Sequence, residues 1–239
     1  MYEKDKDELK EYLELFNDKV KDNVQIISPD EIGQDFLLHI RTTPTKTLIP
    51  NVSKRQGYYE DNSIVRVHTS DHLMGCLIGY AATVSNTMDV EPEKKLTEDT
   101  AYLGGYYVYS VPFKAALQPN NQLVYDVKDT DEKWLINYNE ENRSFDCNLI
   151  GKIIPQNLVA TPVMGRLAKV EQTFVLEVVA PEIKLSKKDT IKKGYYRFTL
   201  DKDRTEIFDI EEISKKDYDE QKGLKATMLE FKEPPFTKW

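Results

Sequence analysis

The sequence predicts a mixed α+β fold in which mostly antiparallel strands outnumber the helices. Between residues 106 and 154, four segments rich in Tyr, Val and Ile follow one another, separated by Pro, Asn and Asp: YYVYSV, QLVYDV (residues 122–127), EKWLINY and CNLIGKII. Short strands joined by turns have this composition. Two other segments, residues 5–22 and 72–82, have apolar side chains at helical spacing. We expect the 72–82 helix to pack on the sheet and the N-terminal helix to dock on the outside.

The N-terminal helix is predicted to be short and amphipathic, with Asp, Glu and Lys on one face. Its other face is an apolar stripe formed by Leu9, Tyr12, Leu13, Phe16 and Val20. A helix of this length is marginal by itself, so the stripe should be buried against the body of the protein.

The second helix has the clearest start signal in the chain. Thr69, Ser70 or Asp71 is able to cap its N-terminus. Its buried stripe is predicted to comprise Leu73, Leu77, Tyr80 and Ala81. Gly75 and Gly79 lie four residues apart and leave a surface that another backbone can approach closely. We therefore expect tight packing of this helix on the sheet.

Three strands are predicted before the second helix. The first is VQII, and the second is DFLLHIR, a buried strand that leads to Thr42, Thr43 and Pro44. The connector from Pro44 to Ser63 is long for a compact domain, and connectors of this length are usually functional or mobile. The third strand is IVRVH, in which apolar and polar side chains alternate.

The chain is predicted to divide into a core, residues 1–154, and a β-rich part, residues 155–239. The division falls at PQNLVATPVMGRLAK, a bridge without clear periodicity. The strand candidates beyond it are TFVLEVVA, GYYRFTL, TEIFDI and KATMLEF. These strands could extend the first sheet or form a small separate domain, and spacing leaves both open.

Composition and net charge disfavour some classes of function and leave others open. The net charge is −8 and there is no Lys/Arg run, which disfavours broad nucleic-acid binding but leaves a protein partner or a small anion open. No apolar run approaches the ~20 residues that span a bilayer, so no membrane association is expected. The N-terminus is too charged for a signal peptide, which predicts a cytoplasmic protein. Cys76 and Cys147 are expected to be reduced core cysteines.

Polar side chains on three successive strands form the candidate site. His39 lies near the end of a buried strand that faces the long connector. Thr69 or Ser70 ends the next strand, before a helix N-terminus whose amide groups favour an anion or a ribose–phosphate group. Glu132 starts a later strand, where a carboxylate can position a hydroxyl or offset developing cationic charge. The structural alternatives are a histidine bonded to backbone, a helix cap and a solvent-facing glutamate.

Metal and thiol chemistry have weaker support. His68 and His72 bracket a strand-to-helix break instead of sharing one helical face, and H-E-x-x-H is absent, so no metal site is expected. Cys76 is at helical spacing from His72 but lies among apolar residues. That position suits an inert buried thiol.

The segments LLHIRTT, VRVHTSDHLMGCLIGYA, YYVYSV and EKWLIN occur in an order that resembles the core of ADP-ribosyltransferase folds, over residues 36–154. In that family a first strand ends in His or Arg, a second carries Tyr or Ser/Thr and runs into a helix, and a later strand carries the catalytic Glu. The resemblance implies an NAD pocket in which Glu132 acts on the ribose 2′-OH. The residues implied to contact the nicotinamide or its ribose are His39, Thr69 or Ser70, and Tyr58 or Tyr59.

Shorter motifs carry a second resemblance. They are Tyr59-Glu60-Asp61, Cys76-Leu77, a Tyr-Val-Tyr strand, Glu132-Lys133-Trp134-Leu135 and Gly151-Lys152-Ile153. This set is similar to a family of small phage and prophage proteins. It implies a phage or mobile-element protein in the host cytosol, whose nucleotide pocket serves to modify or block a host or defence protein. The alternative is a non-catalytic protein that inhibits such a target by stoichiometric binding.

Overall fold

The computed structural model describes residues 2–52, 64–79, 106–125, 127–138, 144–163, 166–200, 207–221 and 227–228. The chain forms two compact units. The first comprises Met1–Gly79 with Val108–Leu149, and the second comprises Tyr80–Tyr107 with Ile150–Trp239. No helix within the described ranges is both long and apolar enough to cross a membrane.

The first unit combines short helices with a mostly antiparallel sheet. Its helices are α1 (Glu3–Leu13), α2 (Asp18–Lys21), α3 (Pro29–Ile32), α4 (residues 73–79) and α5 (Val127–Thr130). Its strands are β1 (Val24–Ile27), β2 (Phe36–Arg41), β3 (Thr47–Leu48), β4 (Val67–Ser70), β5 (Tyr106–Pro112), β6 (Ala116–Pro119), β7 (Glu132–Leu135) and β8 (Phe145–Asp146). The main sheet has the order β1-β6-β7-β4-β2-β5, and β3 pairs with β8 separately.

The strands that carry the candidate site are neighbours in this sheet. β4 lies in the middle, with β7 on one side and β2 on the other, and both pairings are antiparallel. Ser70 of β4 stands opposite Leu38 of β2 and opposite Glu132 of β7. The register therefore fixes which side chains share a face, because successive residues of a strand point to opposite sides.

The core of the first unit lies around Trp134, which is fully buried. α1 covers it with Leu9 and Leu13, as the amphipathic pattern predicts. The predicted single helix over residues 5–22 is wrong in one respect, since α1 ends at Leu13 and α2 begins at Asp18. Asn17 separates them because its side chain accepts a hydrogen bond from the Val20 N–H and caps α2.

The predicted strand at residues 122–127 is also wrong. Asn120 instead starts a turn, in which its carbonyl oxygen accepts from the N–H groups of Leu123 and Val124. Both apolar side chains enter the core from this turn, so their burial needs no strand. The strand of this region is β6, which precedes the turn and pairs with β1.

α4 packs on β2 and β4 as closely as the glycine spacing predicts. A Cβ atom at Gly75 would lie 2.0 Å from the Thr130 carbonyl oxygen and 2.2 Å from Ser70 Oγ. One residue further on, the Cys76 thiol donates to the Leu38 carbonyl oxygen at 3.2 Å. The described helix covers residues 73–79 of the predicted 72–82.

The second unit is an antiparallel sheet of long strands. Its elements are β9 (Asn148–Val163), β10 (Arg166–Lys184), β11 (Thr190–Leu200), β12 (Ile207–Glu212), α6 (Lys215–Gln221) and β13 (Thr227–Met228). The order is β9-β10-β11-β12, and β13 adds a parallel pairing to β9. The α+β fold with mostly antiparallel pairing is thus confirmed for the described part of the chain.

The bridge predicted at residues 155–169 is wrong, because β9 and β10 run through it as a paired hairpin. Two prolines sit in that hairpin, and each lies beside a shift of register. Pro155 pairs with Phe174 at one shift, and Pro162 pairs with Leu167 at the other. Bulges are where a sheet tolerates a residue without an N–H group, so the two prolines are accommodated without ending the pairing of β9 with β10.

Candidate functional site

The Glu132 carboxylate is the centre of a hydrogen-bonded cluster in the first unit. His68 Nδ1 lies 2.6 Å from Glu132 Oε1, and the Trp134 indole N–H donates to the same oxygen. His68 stands opposite Trp134 in the register, so Glu132 is its diagonal neighbour on the same face. Only 12% of the Glu132 side chain is exposed. The carboxylate that the sequence predicts at the start of this strand is therefore nearly buried and does not face solvent.

Competing effects set the charge of this carboxylate. Burial raises the pKa of Glu132, but the charge and hydrogen bond of His68, the Trp134 N–H and the charge of Arg66 outweigh it. The pKa of Glu132 is held below its ordinary value as a result. The Arg66 guanidinium is itself buried and stacks 4.1 Å from the centre of the Trp134 ring. Glu132 is therefore ionised at neutral pH inside a largely protected site.

His39 joins this cluster through the backbone of His68. Its Nδ1 lies 2.7 Å from the His68 carbonyl oxygen, which can only accept, so Nδ1 carries the proton. Burial lowers the pKa of His39 to about 4. At neutral pH the ring is thus uncharged, with an acceptor lone pair on Nε2. Leu38 pairs with Ser70, so His39 points to the face of the sheet opposite Ser70 and Glu132. Among the described contacts, His39 is connected to Glu132 only through the backbone of His68.

The register separates the two hydroxyl candidates. Thr69 lies opposite Lys133, and its Oγ1 donates to the Lys133 carbonyl oxygen at 2.8 Å. Ser70 lies opposite Glu132 and shares its face of the sheet. Ser70 Oγ also accepts from the His72 N–H at 3.4 Å. Ser70 is therefore the hydroxyl placed beside the carboxylate, whereas the Thr69 hydroxyl is bonded to the neighbouring strand.

The remaining predicted residues lie outside the described part of the chain. These are Tyr58 and Tyr59, which belong to residues 53–63 of the long connector. In the other direction, sequence analysis missed His68 as a site residue. The sequence feature that could have identified His68 is the alternation of side chains along β4, which puts His68 on the same face as Ser70.

Asp71, His72 and Asp131 form the group of potential metal ligands found among the described residues. The His72 Nε2 lies 3.8 Å from Asp71 Oδ1 and 4.0 Å from Asp131 Oδ2. However, His72 Nδ1 accepts the Gly75 N–H at 2.8 Å, which leaves the proton of the neutral ring on Nε2. Lys133 also forms an ion pair with Asp131 at 2.9 Å. The geometry favours an N–H group between two carboxylates over a histidine that ligates a metal.

The Cys76 thiol is not an activated nucleophile. Burial raises the pKa of Cys76 to about 12, and the thiol donates to the Leu38 carbonyl oxygen. A thiol in this environment stays protonated at neutral pH, and the thiolate is the reactive form. Cys–His chemistry therefore has no support at this position.

The unusual pKa of His39 predicts a pH dependence of stability. The folded pKa lies below that of the unfolded chain, so stability present above pH 6.5 should be lost as the pH falls towards 4. We expect wild type to lose about 2 kcal/mol more than His39→Gln over this range, a value reduced for the partial exposure of the ring. Urea unfolding at several pH values measures it. Parallel pH profiles of the two proteins would contradict it, since other groups titrate alike in both.

Comparison of the chain with protein-family models, curated proteins and solved structures finds no match. A function therefore has to be inferred from the chemistry of the site. That chemistry consists of an ionised carboxylate, a histidine and a serine on one face of two adjacent strands, with a second histidine, His39, on the opposite face of the next strand.

Proposed function

We propose that the chain is a cytosolic phage or mobile-element protein with an ADP-ribosyltransferase-like pocket for NAD or ADP-ribose, which modifies or blocks a host or defence protein. One observation carries the proposal. β2, β4 and β7 are adjacent, and the pairing of β4 with β7 places Ser70 and Glu132 on one face of the sheet although 62 positions of sequence separate them, while His39 of β2 lies on the opposite face. A strand with a Ser/Thr hydroxyl beside a strand with a Glu is one part of the arrangement that the resemblance to ADP-ribosyltransferases implies, and this part supports the proposal.

The free oxygen of Glu132 supports the proposal. Both donors to the carboxylate use Oε1, and no donor within the described ranges contacts Oε2. An ionised carboxylate oxygen is a strong acceptor for a hydroxyl group. Oε2 would accept from the 2′-OH of the nicotinamide ribose and stabilise the positive charge that develops on the ring as nicotinamide leaves.

The neutral state of His39 also supports a ribose ligand. Nδ1 is already bonded to the His68 carbonyl, and Nε2 is an acceptor at neutral pH. A ribose hydroxyl is a suitable donor for it, whereas a phosphate oxygen is an acceptor and is not. The Glu132 charge repels phosphate, so on its own face of the sheet this side chain also favours the sugar part of a nucleotide.

The proposed transfer needs little covalent chemistry from the protein. The bond between ribose C1′ and the nicotinamide nitrogen breaks, and its electron pair leaves with nicotinamide. The nucleophile of the acceptor then bonds to C1′ and gives up its proton. Glu132 contributes by placing negative charge beside the oxocarbenium-like transition state.

Glu132→Gln tests this function. Glutamine keeps the shape and most hydrogen bonds but loses the charge, so NAD turnover should fall at least ~10²-fold. The measurement is release of nicotinamide from NAD, with a thermal melt to check folding. Glu11→Gln, the same substitution at an exposed position on α1, is the matched control and should leave turnover unchanged.

Two results would contradict the proposal. One is equal turnover in wild type and Glu132→Gln. The other is the absence of NAD and ADP-ribose binding at millimolar ligand in calorimetric titration. The second result would leave stoichiometric binding to a host or defence protein as the working hypothesis.

A further inference from the structure

Two side chains hold the same oxygen of Glu132. The His68 ring approaches Oε1 with Nδ1 at 2.6 Å, and the Trp134 indole N–H approaches it from the same strand. Because Glu132 is ionised, His68 Nδ1 carries a proton and donates it. Two donors at one oxygen fix the position of that oxygen, and no donor among the described residues contacts the other oxygen, Oε2.

Among the described residues, the His68 ring makes no hydrogen bond besides the one to Glu132. Its Nε2 is withdrawn from solvent, and in the part of the chain that the structure describes it has no hydrogen-bond partner. A buried polar atom without a partner costs free energy. The imidazole therefore does not serve the stability of the sheet through Nε2. Its one hydrogen bond within the described residues is the one to Glu132.

Trp134 supplies a donor that cannot move. The indole is fully buried in the core of the first unit and lies under the Arg66 guanidinium. A buried indole N–H needs an acceptor, and Glu132 Oε1 provides it. Because packing holds the ring in place, the hydrogen bond from its N–H group also restrains the carboxylate, and moving Oε1 away would break this bond.

We propose that His68 and Trp134 are positioning residues that hold Glu132 through Oε1 and reserve Oε2 for a hydroxyl group of the ligand. The inference rests on the proposed function, because it assigns Oε2 to the ribose. It adds His68 and Trp134 to the site, although neither touches the reacting atoms. Misplacing a catalytic group by about 1 Å can lower a rate ~10²-fold, so their loss should affect turnover.

Two substitutions of His68 distinguish the role of its Nδ1 atom from that of its Nε2 atom. Asparagine places its amide nitrogen near the position of Nδ1, whereas glutamine places it near Nε2. His68→Asn should therefore keep the donor to Glu132 and retain kcat within about tenfold of wild type, while His68→Gln should lose about 10²-fold in kcat with KM little changed. Trp134→Phe, which removes the indole N–H, should lower kcat in the same direction.

A second measurement does not depend on turnover. The carbon-13 chemical shift of the Glu132 carboxyl group, followed against pH, reports its titration midpoint. We expect the midpoint to rise by about one pH unit in His68→Gln and to change less in His68→Asn. Thermal melts of each variant show whether the fold is retained.

The two measurements distinguish the two proposals. Wild-type protein without NAD turnover would contradict the proposed function, whereas the carboxyl titration would still decide whether His68 holds Glu132. The positioning role is overturned if the Glu132 midpoint is the same in all three proteins. It is also overturned if His68→Gln retains kcat and His68→Asn does not, because the Nε2 side would then be the one that matters.

Discussion

Replacing Trp134 by alanine is expected to lower the free energy of unfolding by about 3–5 kcal/mol, the range for removing a buried aromatic side chain. Trp134 is 0% exposed and contacts the apolar face of α1 through the core cluster. Its loss would leave a cavity, remove the ring under the buried Arg66 guanidinium, and take one donor from Glu132. Three named causes thus act in the same direction.

Urea unfolding of wild type, Trp134→Ala and Trp134→Phe measures the loss of stability. It also separates the contribution of the apolar contacts from that of the N–H group. Phenylalanine keeps much of the apolar contact but has no N–H group, so it should cost about 1–3 kcal/mol for the unmet hydrogen bond and the smaller ring. A Trp134→Ala protein within about 1 kcal/mol of wild type would show that the core does not depend on this ring.

Gly75→Ala is expected to lower the free energy of unfolding by about 3 kcal/mol or more, as severe overpacking does. The added Cβ would meet a backbone oxygen, that of Thr130, at 2.0 Å, and Ser70 Oγ at 2.2 Å. A backbone oxygen is displaced less easily than the end of a flexible side chain, so α4 would have to move away from the sheet. That movement would also disturb the hydrogen bond from the Gly75 N–H to His72.

Gly79→Ala is the matched control on the same helix. The nearest atom to its added Cβ is Thr130 Cγ2 at 3.6 Å, an ordinary contact. Alanine favours helix over glycine by up to ~1 kcal/mol, so this variant should be as stable as wild type or slightly more stable. Urea unfolding compares the three proteins. Equal stability of Gly75→Ala and Gly79→Ala would contradict the close packing of α4 against residues 70 and 130.

Local patterns predicted most elements of the first unit. VQII forms β1 with these bounds, DFLLHIR contains all of β2, and IVRVH contains the start of β4. The apolar stripe of α1 and the glycines of α4 also lie where the sequence predicts. These features could be predicted because they depend on side-chain period and backbone sterics over a few residues.

Segments without a clear period were predicted less well. Residues 155–169 lack alternation yet form parts of β9 and β10, because the pairing of the two strands supplies their backbone hydrogen bonds whatever the pattern. Residues 122–127 contain strand-forming residues yet begin with a turn at Asn120. In both cases the tertiary context outweighed the local preference.

The sequence by itself determined which polar residues were available for a site: His39, Thr69, Ser70 and Glu132 on successive strands. Only the tertiary structure decided that Ser70 and not Thr69 shares the face of Glu132, because a shift of one residue in strand register exchanges the two faces. It also brought His68 to Glu132 across 64 positions of sequence. No local period encodes that contact, since it depends on β7 pairing with β4 after the intervening chain has folded. The tertiary structure also decided the charge of Glu132 and the neutrality of His39, because burial and neighbouring groups set both pKa values.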